Sequence, residues 1–189
     1  MKNFLKIAEG VDVMPLLLAI RRRPDLWKED TYLRDYPQGP FADVESIMLR
    51  FPVKGVYETE KELQNHLSSY DQHESIDYPP YKQLTEARPI VMQLMTRVQG
   101  ERLGRCMINK IAPGGRIFPH ADTPAHAEYY SRFHIVLQAG PGCNFRCDDE
   151  VVNMAIGEVW WFNNALEHEV TNNGADDRIH LIVDVRTSR

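Results

Sequence analysis

Three residues in the second half of the chain have the types and spacing of a metal site. His120 and Asp122 are separated by one residue, and His168 follows 46 positions after Asp122. Residues two apart in an extended strand face the same side, so one strand can present an imidazole and a carboxylate to a single point. Two histidines and one carboxylate on one face are typical of non-haem Fe(II) oxygenases, because iron keeps open positions for co-substrate and O₂. The three residues are therefore predicted to bind Fe(II).

A basic residue, Arg178, follows ten positions after His168 and begins the last predicted strand. Strand alternation places Arg178 on the same face as His180 and Asp184, while aliphatic residues occupy the other face. An inward arginine offers a planar fork to a buried carboxylate, which is how 2-oxoglutarate would be held at its far end. The position of Arg178 therefore favours an Fe(II) enzyme that uses 2-oxoglutarate.

An earlier strand has a similar pattern, because Arg132 and His134 alternate with Phe133 and Ile135. On an inward face, Arg132 and His134 would be costly to bury without an anionic guest; on an outward face they would be ordinary solvated residues. Alternation alone leaves the two placements equally open. The preceding loop, Thr123 to Ser131, is expected at the mouth of the barrel, where it can contribute to specificity.

These residues need a scaffold that brings distant strands together. The sequence from Leu103 onward has the pattern expected of such a scaffold. Short apolar segments are separated by turn residues, which is typical of an all-β sandwich or barrel, and a cupin-like jelly roll returns His168 to the strand of His120. The segment Asn172-Asn173-Gly174 predicts a hairpin between the last two strands. The predicted strands are about Cys106–Ile111, Ile117–Asp122, Arg132–Gln138, Cys143–Arg146, Val151–Met154, Val159–Phe162, His168–Thr171 and Arg178–Val185.

The first half of the chain has mainly helical signals. Asp12 can cap a helix that ends at Pro24, and Glu45–Phe51 is predicted to be a strand. Apolar residues recur at helical period over Pro89–Val98, and Gly100 stands where a C′ residue is expected. This helix is expected to pack on a sheet.

A further helix is predicted after a capping box, Thr59-Glu60-Lys61-Glu62. The combined pattern predicts a mainly β fold with N-terminal helices: a double-stranded β-helix, or cupin-like jelly roll, with helices packed on one sheet. We expect a single domain, in which residues 1–100 form a helical support region with one or two strands and residues 101–189 form the jelly-roll core. The amphipathic stripe after the capping box is predicted from Leu63, His66, Leu67 and Tyr70.

Composition excludes several other classes of protein. The chain has 189 residues, of which 43% are hydrophobic, and this suffices for one sizeable core. The net charge of −5 argues against a nucleic-acid partner. The N-terminus lacks a signal-peptide core, and the apolar run Val13–Ile20 is too short to cross a membrane, so a cytoplasmic protein is expected. The cysteines lack the second Cys/His pair of a structural zinc site and are expected to be reduced thiols.

Four pieces of the sequence together resemble the aspartyl/asparaginyl β-hydroxylase family of Fe(II)/2-oxoglutarate dioxygenases. The resemblance covers roughly residues 103–186 and is much more specific than any one piece. The four pieces are Ile111-Ala-Pro-Gly-Gly-Arg-Ile-Phe-Pro-His-Ala-Asp122, Arg132-Phe-His134-Ile, Gly157-Glu-Val-Trp-Trp-Phe-Asn-Asn with His168, and Arg178-Ile-His-Leu-Ile-Val-Asp184.

The resemblance implies roles for individual residues. His120 and His168 match the iron-binding histidines of the family. Asp122 is a departure from the animal members that hydroxylate peptides, which lack the acidic ligand, and is shared with bacterial members acting on small substrates. The resemblance therefore implies a three-ligand iron site and puts peptide specificity in doubt.

Further roles implied by the resemblance concern the co-substrate. Arg178 matches the arginine that binds the distal carboxylate of 2-oxoglutarate, and His134 matches a residue that hydrogen-bonds the co-substrate. Arg132 matches an arginine that holds a carboxylate of co-substrate or substrate. Asn109 lies roughly where the family has a polar helper for the 2-oxoglutarate carboxylate.

The sequence thus predicts an oxygenase that uses Fe(II), 2-oxoglutarate and O₂ to hydroxylate an aliphatic C–H bond. The substrate would be an amino acid, a peptide or protein side chain, or a related small metabolite. Two alternatives stay open: a cupin-type metal enzyme that does not use 2-oxoglutarate, and a non-catalytic ligand-binding jelly roll. The sequence does not indicate an oligomeric state.

Overall fold

The fold is built mainly from strands, which form two antiparallel sheets. The computed structural model describes residues 1–54, 59–69, 71 and 73–188. The strands are, in chain order, β1 (Phe4–Ala8), β2 (Val44–Phe51), β3 (Ile76–Asp77), β4 (Gly100–Ile111), β5 (Arg116–His120), β6 (Ser131–Gln138), β7 (Cys143–Cys147), β8 (Glu150–Val152), β9 (Val159–Phe162), β10 (His168–Asn172) and β11 (Arg178–Thr187).

The two sheets differ in size. The large sheet has the strand order β1-β9-β6-β11-β4-β2-β3, and the small sheet has the order β5-β10-β7-β8. From β5 onward the chain passes back and forth between the sheets, which is the winding of a double-stranded β-helix. The predicted jelly roll and most of its predicted strands are therefore confirmed.

Helices cover the outer face of the large sheet, as predicted. Alternation along β11 sends Ile179, Leu181 and Val183 into this helix-covered core, where they meet residues such as Leu16 and Val91. The helices are α1 (Met14–Arg21), α2 (Leu26–Glu29), α3 (Tyr32–Asp35), α4 (Glu60–Ser69), α5 (Pro79–Gln83), α6 (Ala87–Arg97) and α7 (Pro124–Tyr129). None of the helices in the described part of the chain is long and apolar enough to span a membrane.

A second core lies between the two sheets and supports the opposite face of the large sheet. Aromatic side chains dominate it, with Phe4, Phe145 and Phe162 in mutual ring contact. Apolar contacts therefore fill one end of the space between the sheets, and the polar face of β11 lies against the rest of that space. Cys106, Cys143 and Cys147 are all buried as free thiols, as expected.

Several local predictions for the first half are confirmed. Helix α1 ends before Pro24, although Val13 occupies the cap position and Asp12 accepts a hydrogen bond from the Met14 backbone N–H at 3.2 Å. The capping box is formed reciprocally, with Thr59 Oγ1 accepting from the Glu62 N–H at 3.2 Å and the Glu62 carboxylate accepting from the Thr59 N–H at 3.3 Å. The stripe predicted from Leu63, His66, Leu67 and Tyr70 lies outside the residues whose side chains are described.

The predicted role of Gly100 as the C′ residue of α6 is wrong. Gln99 adopts the left-handed conformation there, with φ of 52°, and Gly100 already begins β4. The glycine is required for another reason: a Cβ at position 100 would lie 2.6 Å from Val185 and 2.8 Å from Met95. Close packing of α6 on the sheet, rather than helix termination, therefore explains Gly100.

The hairpin predicted at Asn172-Asn173-Gly174 is also wrong, because β10 belongs to the small sheet and β11 to the large sheet. The segment is a corner between the sheets. The buried Asn172 side chain donates to the backbone carbonyls of Ile111 and Asp176, both at 2.9 Å, and accepts from the Gly174 N–H at 3.1 Å. Short polar residues stabilise such a corner as well as they stabilise a hairpin, so the local sequence does not distinguish the two.

Candidate metal centre and its cavity

The three predicted metal ligands meet at one end of the small sheet. His168 on β10 is the direct ladder partner of His120 on β5, and the two imidazole centroids are 4.3 Å apart. One ligand atom from each of His120, Asp122 and His168 lies within 4.8 Å of the others. The predicted triad is thus assembled by strand pairing.

Asp122 reaches this point by a different route from the one predicted. Strand β5 ends at His120, so Asp122 lies beyond the predicted strand alternation. Its backbone N–H donates to the carbonyl oxygen of Asn164 at 3.1 Å, which fixes the turn that brings the carboxylate back beside the histidines. The predicted strand Ile117–Asp122 is therefore two residues too long, although Asp122 still lies beside the two histidines.

Both histidines are oriented by backbone carbonyls. His120 Nδ1 lies 2.8 Å from the Phe118 carbonyl oxygen, and His168 Nδ1 lies 2.9 Å from that of Leu166. Because a carbonyl oxygen can only accept, each Nδ1 carries the proton and each Nε2 lone pair is available for a metal. Burial lowers the pKa of both imidazoles, so both are neutral at neutral pH, as metal binding requires.

Two side chains hold the Asp122 carboxylate. The Asn164 amide donates to Oδ2 at 2.8 Å, and Arg132 Nη1 donates to Oδ1 at 3.0 Å. Burial alone would raise the pKa of Asp122, but the Arg132 guanidinium and the Asn164 amide outweigh it and hold the pKa below its usual value. Asn164 lies in the Trp-Trp-Phe-Asn-Asn segment, yet nothing in its sequence position indicated this role.

A cavity of about 290 Å³ opens beside the three ligands. Asn109 and His134 line it on the large sheet, Phe145 lines it on the small sheet, and helix α7 contributes His126. The cavity is at the lower end of the usual size range for small-molecule sites. The expectation that the Thr123 to Ser131 segment lies at the site is confirmed for Thr123 and His126, which line the cavity wall.

Arg178 lies inward, on the face of β11 that was predicted. It is 1% exposed, and its Nη2 donates to His180 Nδ1 at 3.1 Å. Its buried Nη1 has no hydrogen-bond partner among the described residues. Burial lowers the pKa of Arg178 to about 10, and its guanidinium lies 5.8 Å from the ring centre of Phe145, a cavity residue. A buried cation with an unmade hydrogen bond is the environment that an anionic ligand would complete.

Similarity to known proteins identifies the family of this chain. Residues 67–188, well over half of the chain, match the sequence model of the aspartyl/asparaginyl β-hydroxylase family. The chain belongs to the aspartyl/asparaginyl β-hydroxylase family. The resemblance inferred from the four sequence pieces is thereby confirmed.

Two curated relatives of this family member are proline hydroxylases. The chain is 30% identical over 77 residues to the L-proline cis-4-hydroxylase of Rhizobium meliloti, a match covering 41% of the chain and 28% of the relative. It is 29% identical over 104 residues to an L-proline cis-3-hydroxylase of a Streptomyces species, covering 53% and 36%. The chain thus matches about a third of the length of these relatives.

A solved structure confirms the fold of the family member. The viral collagen prolyl hydroxylase from Paramecium bursaria chlorella virus 1 superposes with a TM-score of 0.52 at 10% identity, over 99% of this chain and 97% of the viral protein. At that identity the similarity concerns the fold alone, and it supports the jelly-roll architecture.

The side chains of Arg132 and His134 point into the space between the sheets. The family resemblance associated both residues with the co-substrate. Arg132 is 8% exposed and donates to the carboxylates of Asp122 and Asp184. His134 Nδ1 lies 3.2 Å from His180 Nδ1, in the direction of Arg178. This resolves the choice between inward and outward placement that alternation left open.

Asn109 is buried and lines the cavity, where its Oδ1 accepts a hydrogen bond from Ser46 at 2.9 Å. On the large sheet it is the ladder partner of His180. Asn109, His134 and Arg178 therefore lie along one side of the space between the sheets, and their contacts with a co-substrate remain predictions.

Proposed function

We propose that the protein is an Fe(II)- and 2-oxoglutarate-dependent oxygenase that hydroxylates an aliphatic C–H bond. A single observation carries the proposal: the His120, Asp122 and His168 triad opens onto a cavity lined by Phe145, and the buried guanidinium of Arg178 lies 5.8 Å from the Phe145 ring centre. Arg178 Nη1 has no hydrogen-bond partner among the described residues. A metal triad alone would fit many cupin-type enzymes. The buried cation with an unmade hydrogen bond favours a co-substrate that carries a carboxylate.

The residues at the site fit both Fe(II) and 2-oxoglutarate. Two neutral imidazoles and one carboxylate are the donor set of non-haem Fe(II) sites, and they would hold the metal. Arg178 would bind the distal carboxylate of 2-oxoglutarate, with His134 and Asn109 along its length. With both bound, Fe(II), 2-oxoglutarate and O₂ supply the oxidant for hydroxylation, with succinate and CO₂ as the other products.

The surrounding side chains would exclude water and place the substrate. Phe145 and Phe162 pack against the ring of His168, and Met107 and Ile182 form an apolar wall across the cavity. The small cavity volume favours an amino acid, a related metabolite or one side chain of a peptide as the substrate. The proline hydroxylases among the relatives support the first of these classes.

Succinate formation tests the proposal. Protein loaded with Fe(II) is incubated with 2-oxoglutarate, O₂ and a panel of free amino acids, starting with L-proline, and short peptides, and succinate is quantified. We expect substrate-dependent succinate and a product that is 16 Da heavier than its substrate. His168→Ala should lose iron and turnover, whereas His73→Ala, which removes a histidine stacked on Tyr129, should retain iron.

The competing functions give different results. A cupin-type enzyme that does not use 2-oxoglutarate would bind the metal but show no 2-oxoglutarate binding by calorimetry, and a non-catalytic jelly roll would retain no metal after purification under reducing conditions. Absence of both 2-oxoglutarate binding and succinate formation across the panel would refute the proposal.

A further inference from the structure

A continuous chain of buried polar groups runs from the metal centre to helix α7. Arg132 Nη1 donates to Asp122, as described above, while its Nε and Nη2 donate to the two oxygens of Asp184 at 2.7 and 3.0 Å. Asp184 Oδ2 also accepts from His126 Nε2 at 2.8 Å. Asp184 is fully buried on β11, and His126 is 6% exposed on α7. Residues from three separate elements thus meet at Arg132.

The guanidinium of Arg132 forms most of the hydrogen bonds in this chain of polar groups. The Nε and Nη2 edge of its guanidinium forms the bidentate pair with Asp184, and its Nη1 is directed to the metal ligand Asp122. Its Nη2 also lies 3.2 Å from His126 Nε2, which is itself a donor to Asp184. This edge is therefore already occupied by a buried aspartate, which a carboxylate of a substrate or co-substrate would have to displace in order to bind there. Arg178 differs, because its Nη1 has no partner among the described residues.

We propose that Arg132 is a positioning residue that holds the carboxylate of Asp122 in place for the metal, with Asp184 and His126 fixing the guanidinium. The inference rests on the proposed metal site. The bidentate pair with Asp184 removes the rotational freedom of the guanidinium, so Nη1 can fix only one orientation of the Asp122 carboxylate. The Asn164 amide donates to Oδ2 of the same carboxylate at 2.8 Å, and Arg132 Nη1 lies 2.8 Å from that oxygen as well. The ligand is thus oriented before a metal binds.

The sign of the effect distinguishes this role from simple electrostatics. The Arg132 guanidinium is a positive charge beside a site for a divalent cation, so by charge alone its removal should strengthen metal binding. Loss of a side chain that orients a metal ligand has the opposite effect and typically weakens binding by about 10–100-fold. A carboxylate clamp for 2-oxoglutarate would give a third pattern, in which co-substrate affinity falls and metal affinity does not.

Metal titration of the Arg132→Met variant tests the inference. Co(II) is titrated into metal-free protein, its affinity and its d–d absorption spectrum are recorded, and 2-oxoglutarate is then titrated into the Co(II)-saturated protein. We expect Co(II) affinity to fall about 10–100-fold, a changed d–d spectrum at saturation, and a smaller change in 2-oxoglutarate affinity. Arg102→Met is the matched control, because Arg102 also pairs with an aspartate, Asp71, and contacts Tyr129 rather than a metal ligand.

Two further variants keep the test decisive if Arg132→Met folds poorly. Arg132→Lys keeps the charge but has one nitrogen in place of the fork, so it should also weaken Co(II) binding. Asp184→Asn leaves Arg132 intact but weakens the bidentate pair that fixes its guanidinium. This variant should therefore also change the d–d spectrum of the bound Co(II). Unchanged or tighter Co(II) binding in the Arg132 variants, with weakened 2-oxoglutarate binding, would overturn the inference while leaving the proposed function intact. A wild-type protein that bound neither Co(II) nor 2-oxoglutarate would refute the proposed function itself.

Discussion

Replacing Arg178 by methionine should make the ligand-free protein more stable and at the same time unable to bind 2-oxoglutarate. Burial lowers the pKa of Arg178 from its ordinary value to about 10, and at about 1.4 kcal/mol per pH unit this decrease corresponds to a cost of ~3 kcal/mol for keeping the charge in the folded protein. Methionine would lose the hydrogen bond to His180 and the contact with Phe145, together worth about 1–2 kcal/mol. The expected net gain is about 1–2 kcal/mol, or about 2–8 °C in Tm.

The pH dependence of this gain follows from the sign of the pKa change. Arg178 is a base whose pKa is lower in the folded than in the unfolded protein, so the cost is fully present below the folded pKa of about 10 and disappears only as the pH rises above that value toward the pKa of the unfolded chain. The gain in Tm should therefore be constant between about pH 7 and pH 9, the range below both pKa values that is practical for the assay.

Thermal unfolding with and without 2-oxoglutarate measures both effects in one assay. With Mn(II) present, 2-oxoglutarate should raise the Tm of the wild type and leave that of Arg178→Met unchanged, because a buried carboxylate without its partner loses about 3–5 kcal/mol, or at least ~100-fold in affinity. Arg102→Met should lower Tm slightly and keep the response to 2-oxoglutarate. A variant at position 178 that is less stable than wild type, or that still responds to 2-oxoglutarate, would refute the reasoning.

Two contacts that the sequence alone did not indicate, one at Asp122 in the site and one in the packing at Gly104, can each be tested by a substitution with a control. Asn164→Ala removes the amide that holds Asp122 Oδ2 and should weaken Co(II) binding up to about 10-fold in the same titration; Asn153→Ala, which removes an amide bonded to loop carbonyls, should not. Gly104→Ala would place a Cβ 2.7 Å from the Tyr130 ring, which is 1% exposed, and should cost about 1–3 kcal/mol in a chemical denaturation experiment. Gly140→Ala meets nothing within 4 Å and should be nearly neutral.

The sequence was sufficient to predict the fold class, because this depends on local patterns, and the clustering of His120, Asp122 and His168, because the fold brings them together. Period-two alternation along β11 separates Ile179 and Leu181 from Arg178 and His180, and the structure places the two sets on opposite faces. The spacing of His120 and His168 is long, but winding of the chain between two sheets makes them ladder partners.

The predictions that were wrong or missing concern positions whose structure depends on residues distant in the sequence. The Asn172 segment was misread because its side chain bonds to Ile111, 61 residues earlier, a contact that no turn pattern contains. Gly100 was misread because the side chain closest to the added Cβ, that of Val185, belongs to the last strand and is distant in sequence. Strand alternation likewise could not show whether the guanidinium N–H groups of Arg132 were free to bind a ligand. Their partner Asp184 is 52 residues away in the sequence.

The buried charges explain why the metal and the co-substrate should bind together. In the space between the sheets, the described side chains of Arg132, Arg178, Asp122 and Asp184 carry two positive and two negative charges, and burial keeps His134 neutral. The half-buried Arg105 adds a positive charge at the cavity wall. Fe(II) adds two positive charges and 2-oxoglutarate two negative ones, so the pair leaves the net charge of this interior unchanged, whereas either alone adds two uncompensated charges to a poorly solvated space. The rise in Tm with 2-oxoglutarate should accordingly be much smaller without Mn(II) than with it. An equal rise under both conditions would mean that Arg178 alone, and not the balance of charge across the cavity, determines co-substrate binding.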